Sequence, residues 1–158
     1  MVVGASIEYL DQHLEAITTL AQWHHAEWAH LSPAVSVEDR ARRFRERAVR
    51  GGVPSAFCAV VEAQVVGVAC LVAADLETHP QFTPWLASVL VAPEFRGRGV
   101  GSALSERVAE EAVLLGASEL YLFTFDRQRL YSRLGWRHVE PIVYADIPGT
   151  IMVRGFAA

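Results

Sequence analysis

The clearest hydrophobic pattern lies in the second half of the chain. Residues 85–91 and 120–125 are almost continuous apolar runs, and the second is typical of a strand buried on both faces of a sheet. Between them, residues 101–115 place apolar side chains on one stripe at helical spacing, and Gly116 follows at the expected C-terminal stop. The pattern predicts a strand–helix–strand unit, which is right-handed if both strands share a sheet.

Two helices are predicted in the first half, after a short strand at 7–11. Apolar residues recur at roughly helical spacing across 12–30, ahead of a Ser-Pro pair. Ser36 is a suitable N-cap for a second helix, with two acids in its first turn and Gly51-Gly52 closing it. These helices precede the predicted hairpin.

The β-rich runs complete the predicted fold. Residues 55–62 and 65–74 form a hairpin with a short turn near 63–64. A short helix is expected to run from a cap at Asp126 through Leu134. Strand candidates follow at 136–140, 143–146 and 150–156. We therefore predict one α+β domain over 1–158, with flanking helices and a mostly antiparallel mixed sheet that contains one parallel pair, 85–91 and 120–125.

Composition narrows the function classes. The chain has 158 residues, 52% of them hydrophobic, which suits one globular domain with its own core. A net charge of −4 argues against general binding to nucleic acid or to anionic membranes. No secretory signal and no run of about 20 apolar residues is present, so we expect a soluble protein of the cytoplasm.

The basic and sulfur-containing residues exclude several chemistries. All 14 basic residues are arginines, so neither a P-loop lysine nor a Schiff-base lysine is available. Cys58 and Cys70 lie inside apolar runs, which predicts two buried free thiols. No ligand spacing typical of a zinc site completes the histidines near residue 25, so no metal is predicted.

A glycine-rich segment joins the predicted strand 85–91 to the helix that follows. Alternating glycines permit close backbone approach, and the free N–H groups at the helix start attract anions. These features predict a cradle for a phosphate or pyrophosphate. The alternative is a tight turn with solvated arginines. The residues of this segment are Arg96, Gly97, Arg98, Gly99, Val100, Gly101 and Ser102.

Two motifs together resemble those of the GNAT superfamily of N-acetyltransferases. Arg96-x-x-Gly99-x-Gly101 is similar to the first motif, Gln/Arg-x-x-Gly-x-Gly/Ala. The segment Leu130-Tyr131, followed after three residues by Gly135 and an aromatic residue, is similar to the second. The resemblance covers roughly residues 53–156. A dinucleotide-binding loop is the competing interpretation, but the glycine spacing and the preceding antiparallel hairpin count against it.

The resemblance implies a role for each matching residue. Acetyl-CoA is expected between the two parallel strands, where Leu90 and Val91 offer backbone groups to its pantetheine arm and thioester carbonyl. The segment 96–102 is expected to hold the pyrophosphate, and Tyr131 to act as general acid at the thioester sulfur. Many members carry Asn where this chain has Asp126, so Asp126 either replaces that residue at the cofactor or only caps the helix.

The implied reaction is direct transfer of the acetyl group to a primary amine, which must lose a proton first. Glu77 or Asp75 is the predicted general base, with His79 and Glu27 as further candidates. A small-molecule amine is favoured slightly over a protein amine, and a homodimer is possible by analogy. The alternative function is a catalytically silent acyl-CoA-binding regulatory domain on the same scaffold.

Two features of the predicted helices bear on the acceptor. The second helix and its end carry six arginines between positions 40 and 50, interleaved with acids. A solvated face with local ion pairs is the default interpretation, and an acidic acceptor or partner is the alternative. On the first helix, an aromatic cluster suits either core packing or the lining of an acceptor pocket: Trp23, His24, His25, Trp28 and His30.

Overall fold

The computed structural model describes residues 4–157, and its centre is one mixed sheet of seven strands in the order β1-β2-β3-β4-β5-β7-β6. All neighbouring pairs are antiparallel except β4 and β5, so the predicted α+β fold with one parallel pair is confirmed. The strands are β1 Ser6–Tyr9, β2 Ser55–Val61, β3 Gln64–Val72, β4 Trp85–Val91, β5 Glu119–Thr124, β6 Arg137–Tyr144 and β7 Ile147–Gly155.

The helices largely follow the predicted positions, but the second ends at Arg47, before the predicted stop at Gly51-Gly52. The first is shorter than predicted, because two 3-10 turns occupy residues 10–16 before it. Ser36 caps the second through a reciprocal pair: its Oγ accepts from the Asp39 N–H at 3.0 Å, and its own N–H donates to Asp39 Oδ2 at 3.0 Å. The helices are α1 Ile17–Trp28, α2 Val37–Arg47, α3 Val100–Leu114 and α4 Gln128–Arg133.

The sheet separates two hydrophobic clusters. In β3, Val68 and Cys70 pack in the cluster that contains residues of α1 and α2, while Ala69 and Leu71 pack in the cluster that contains residues of α3. This alternation explains why β3 is almost continuously apolar, since both of its faces are covered. Cys58 and Cys70 are buried and unpaired, as predicted.

The C-terminal hairpin differs from the prediction. Residues 137–144 form one strand, β6, and the turn that was predicted as part of a strand lies at Ala145 and Asp146, both with positive φ. Pro141 is tolerated within β6 because this strand is the edge of the sheet. The homodimer expected from such an exposed edge stays a prediction.

Candidate active site

The two parallel strands part soon after they meet. Trp85 of β4 is in register with Tyr121 of β5, and no further pair joins them in residues 4–157. Each strand nevertheless stays bonded to its outer neighbour, β4 to β3 as far as Val91 and β5 to β7 as far as Thr124. A cavity of about 390 Å³ therefore opens between them, and α1, α2, α4 and the glycine loop complete its lining.

A β-bulge lies in the wall of this cavity. Val68 and Cys70 of β3 pair with Leu90 and Ala87 of β4, so one residue of β3 faces two residues of β4. Ser88 absorbs the extra residue with φ of 56°, a conformation that is uncommon outside glycine. The bulge leaves backbone groups of β4 outside the regular ladder, next to the cavity. Leu90 and Val91 both line it, and their binding of acetyl-CoA stays a prediction.

The glycine loop turns the chain from β4 into α3. The N–H of Ala92 donates to the Val66 carbonyl at 2.8 Å, which anchors the start of the loop on β3. Gly97 and Gly99 adopt φ of 75° and 84°, so these two glycines are required by the turn itself. The Arg96 side chain folds back, and its Nε donates to the Val91 carbonyl at 2.9 Å. This hydrogen bond to the Val91 carbonyl therefore fixes the loop to the end of β4.

The N-terminus of α3 has no side-chain cap, so its first backbone N–H groups are free to bind a ligand. Gly99 is its N-cap and supplies no side-chain acceptor, and the first turn contains no acid. The first intrahelical bond that joins this cap to the helix runs from the Ala103 N–H to the Gly99 carbonyl at 3.0 Å. The N–H groups of residues 100–102 precede it and have no acceptor within the helix. Such a helix start binds anions well.

The predicted loop residues occupy different positions around this helix start. Gly97 and Gly101 line the cavity with Arg96, and a Cβ on Gly101 would lie 3.7 Å from Val91 Cγ2. The Val100 side chain is buried in the core, so this residue can offer only its backbone. Among the described residues, Arg98, Gly99 and Ser102 are not part of the cavity lining.

Tyr131 reaches the cavity from α4. Its side chain is buried and packs edge-on against Trp136, with 5.9 Å between the ring centroids. Burial raises the pKa of the Tyr131 phenol, and the Ser105 hydroxyl and Arg127 partly oppose this shift. The phenol is therefore protonated at neutral pH and has a proton to donate.

Asp126 does not cap the short helix. The N-cap of α4 is Arg127, whose N–H donates to Thr124 Oγ1 at 3.0 Å. The Asp126 side chain is exposed on the cavity rim, 3.8 Å from Arg127 Nε. The prediction that Asp126 caps the helix is therefore wrong, and its role at the cofactor stays a prediction.

The four candidate bases lie in different places. Asp75 is half-buried in the cavity lining, and burial raises the pKa of its carboxyl to about 6 against the opposing attraction of Arg47. Glu27 also lines the cavity but lies 3.5 Å from Arg96 Nη2. Glu77 is exposed outside the lining, and His79 pairs with Glu140 at 3.2 Å.

A chain of polar contacts among residues that line the cavity runs from α2 to the bulge. Arg40 Nη1 lies 2.8 Å from His24 Nδ1, and His24 Nε2 lies 3.3 Å from Ser88 Oγ. Arg47 Nη1 also donates to Ser88 Oγ at 3.3 Å. Burial, reinforced by Arg40 and other arginines, lowers the pKa of His24 to about 3.

Ser88 is not among the site residues predicted from the sequence. It is the one polar residue of β4, in the segment Trp-Leu-Ala-Ser-Val-Leu-Val, and that is the signal that could have marked it. Of the aromatic cluster on α1, His24 and Trp28 line the cavity. Within residues 4–157, no three His, Cys, Asp or Glu side chains form a metal-binding group. No described helix is long and apolar enough to cross a bilayer.

Comparison with known proteins identifies relatives of this arrangement. Residues 17–136 match the acetyltransferase (GNAT) family. No curated protein sequence matches the chain.

Solved structures share the fold over nearly the full chain. An N-acetyltransferase from Staphylococcus aureus Mu50 is 15% identical with a TM-score of 0.75, covering 97% of this chain and 99% of that one. An aminoglycoside 6'-N-acetyltransferase complexed with coenzyme A is 18% identical with a TM-score of 0.74, covering 95% and 96%. A Salmonella typhimurium protein solved with its cofactor acetyl-CoA is 16% identical with a TM-score of 0.73, covering 97% and 94%.

Proposed function

Because the chain belongs to the GNAT acetyltransferase family, we propose that it moves the acetyl group of acetyl-CoA directly to a primary amine. One observation carries the proposal: the parallel strands part beside an uncapped helix start, and a protonated tyrosine lines the same cavity. Two similar structures hold coenzyme A or acetyl-CoA, which supports this choice of co-substrate.

The residues present fit such a co-substrate. The open N–H groups of residues 100–102 and the guanidinium of Arg96 suit the two negative charges of a pyrophosphate. The gap between β4 and β5 suits an extended arm, with backbone groups of Leu90 on one side. When bound, acetyl-CoA supplies an acetyl group activated as a thioester.

Asp75 is the proposed proton acceptor for the amine. An alkylammonium has a pKa near 10, so the amine must lose a proton before it can attack. Asp75 lies in the cavity, and its pKa of about 6 leaves the carboxylate mostly ionised at neutral pH yet more basic than an ordinary aspartate. Glu77, the other base predicted from the sequence, lies outside the lining, which favours Asp75.

Two further roles in the reaction are assigned to residues of β4 and α4: stabilising the negative charge on the acetyl oxygen, and protonating the departing sulfur. As the amine attacks, negative charge develops on the acetyl oxygen, and a backbone N–H near the β4 bulge is proposed to donate to it. Tyr131 is proposed to donate its phenol proton to the departing sulfur as the carbon–sulfur bond breaks, and to regain a proton from the one that the amine nitrogen releases when the amide forms. A thiol has a pKa of about 8.5, so this proton assists departure but is not essential.

Release of free thiol from acetyl-CoA in the presence of amines tests the proposal, together with the mass of the acetylated product. The proposal predicts amine-dependent thiol release and a product heavier by one acetyl group. Acetyl-CoA binding without turnover on any amine would instead support the catalytically silent binding domain. Thiol release without an acetylated amine would show hydrolysis and contradict amine transfer.

A further inference from the structure

Three arginines of α2 line the cavity between β4 and β5. Arg40, Arg43 and Arg47 are spaced by three and four residues, which places them on one face of the helix, and all three line the cavity. In residues 4–157, no carboxylate lies within 4.0 Å of their guanidinium groups. By contrast, Arg42 and Arg50 each contact an aspartate, at 2.6 and 2.7 Å.

Arg40 is a buried cation whose hydrogen-bond partners are all neutral. Arg40 is only 2% exposed to solvent. Nε donates to His25 Nδ1 at 3.2 Å, Nη1 contacts His24, and Nη2 donates to Ser32 Oγ at 3.1 Å. These contacts satisfy the donors without neutralising the charge. A buried charge is costly unless an opposite charge compensates it.

The acids of the cavity do not balance these arginines. Glu27 and Asp126 lie beside arginines of their own, Arg96 and Arg127, at 3.5 and 3.8 Å. Asp75 is the one other carboxylate among the described lining residues. Three guanidinium groups and one carboxylate remain, so the cavity lining carries an excess of two positive charges.

We propose that the acceptor is a primary amine that also carries a carboxylate, and that Arg43 and Arg47 bind this carboxylate. The inference rests on the proposed acetyl transfer and specifies its second substrate. Arginine binds carboxylates through a planar fork of N–H donors. Arg43 is exposed at the cavity and Arg47 spends one donor on Ser88, so both have donors free for a ligand.

The same charge excess selects against other amines. A polycationic acceptor, such as an aminoglycoside, would add positive charge to a cavity whose lining is already positive. One of the similar structures is an aminoglycoside acetyltransferase, but the arginines of α2 argue for a different acceptor here. A positive environment also disfavours the ammonium form of the acceptor, and this helps the amine to lose its proton.

Matched acceptors test the inference on the full chain. Glycine and glutamate are compared with glycinamide and glutamate diamide, which keep the amine and lose the carboxylates. A short peptide beginning with aspartates and its asparagine counterpart distinguish a peptide acceptor from a free amino acid, and kanamycin represents polycations. Each compound is titrated calorimetrically into protein saturated with coenzyme A, and kcat/KM is measured by thiol release.

Two variants and a control locate the effect. Arg43→Gln and Arg47→Gln remove one charge from the cavity each, and Arg45→Gln removes one charge from an exposed position of α2 outside the lining. Loss of a charge-assisted contact is expected to lower affinity and kcat/KM for carboxylate acceptors by roughly 10- to 100-fold. For Arg43→Gln with the amides, and for Arg45→Gln with any acceptor, the expected change is less than about twofold.

The outcomes separate this inference from the proposed function. Normal acetyl-CoA binding with equal use of amides or kanamycin would overturn the inference alone. So would carboxylate amines that neither bind nor react. Failure of the folded protein to bind acetyl-CoA would overturn the acetyl transfer, and the acceptor inference with it.

Discussion

Arg40 Nη1 lies 2.8 Å from His24 Nδ1, and this contact fixes the protonation of His24. An arginine keeps its protons in a protein, so Nδ1 must accept and the ring proton sits on Nε2, 3.3 Å from Ser88 Oγ. Burial, with Arg40 next in importance, lowers the pKa of His24 to about 3. His24 is therefore a fixed neutral donor to Ser88 and is a poor general base.

We expect the His24 ring to stay neutral, with its proton on Nε2, from pH 5 to pH 8. The reason is that both burial and the adjacent guanidinium oppose a second ring proton. Nitrogen chemical shifts of the histidine side chains measure this directly, and His24→Gln assigns the signal. A His24 signal that titrates between pH 5 and pH 8 would contradict the assignment.

Asp75→Asn is expected to remove the decrease of kcat/KM at acidic pH, that is, the acidic limb of its pH profile. In the native protein the pKa of Asp75 is raised to about 6, so kcat/KM should rise with pH through that value as the base ionises. Asparagine cannot take a proton, so the limb disappears and the rate falls by roughly 100-fold or more. Glu77→Gln, a matched change outside the cavity lining, should keep both rate and limb. The opposite pattern would assign the base to Glu77.

Asp75 should also make folding stability depend on pH. Its pKa is 3.8 in the reference state and about 6 in the fold, so the folded protein holds more protons between pH 4 and pH 6. Stability from this group is fully present below pH 4 and is lost as pH rises through 6, by on the order of 3 kcal/mol. Asp75→Asn should therefore be more stable than the native protein at pH 8 and nearly equal to it at pH 4. Urea unfolding at both values measures this, and equal stability at pH 8 would refute it.

Tyr131→Phe is expected to lower kcat and leave the affinity for acetyl-CoA within about twofold. The phenol is buried and protonated, and its proposed work is proton donation, which contributes typically 100-fold or more when departure of the leaving group limits the rate. Tyr121→Phe is the control, because that hydroxyl donates to Glu119 at 2.6 Å and lies outside the cavity lining. Unchanged turnover of Tyr131→Phe with a good acceptor would remove Tyr131 from the mechanism.

The elements that carry strong local patterns were predictable from the sequence. Ser36 and Asp39 form a capping box by their spacing alone, and the stripe of α3 and the apolar runs of β4 and β5 follow from periodicity. The C-terminal strands were less predictable, because Pro141 looks like a break. Only its position on the edge of the sheet shows why the strand continues.

The cavity depends on contacts between residues distant in the chain. Sequence spacing cannot show that Ser88 absorbs a bulge, since the bulge is defined against β3. It cannot choose between Asp75 and Glu77, which are two residues apart on a loop and yet differ in burial. The alternation of arginines and acids in α2 is typical of a solvated helix face. Only the fold shows that Arg40, Arg43 and Arg47 line the cavity.

Calorimetric titration with acetyl-CoA, with Gly101→Glu and Gly52→Glu as matched variants, measures whether the cavity and the open start of α3 bind this co-substrate. Gly101 lies at the open start of α3 and lines the cavity, whereas Gly52 has open space around it and lies outside the lining. We expect saturable binding of acetyl-CoA but not of NAD, retained in Gly52→Glu and lost in Gly101→Glu. Binding that survives in Gly101→Glu, or no binding by the folded native protein, would contradict this expectation.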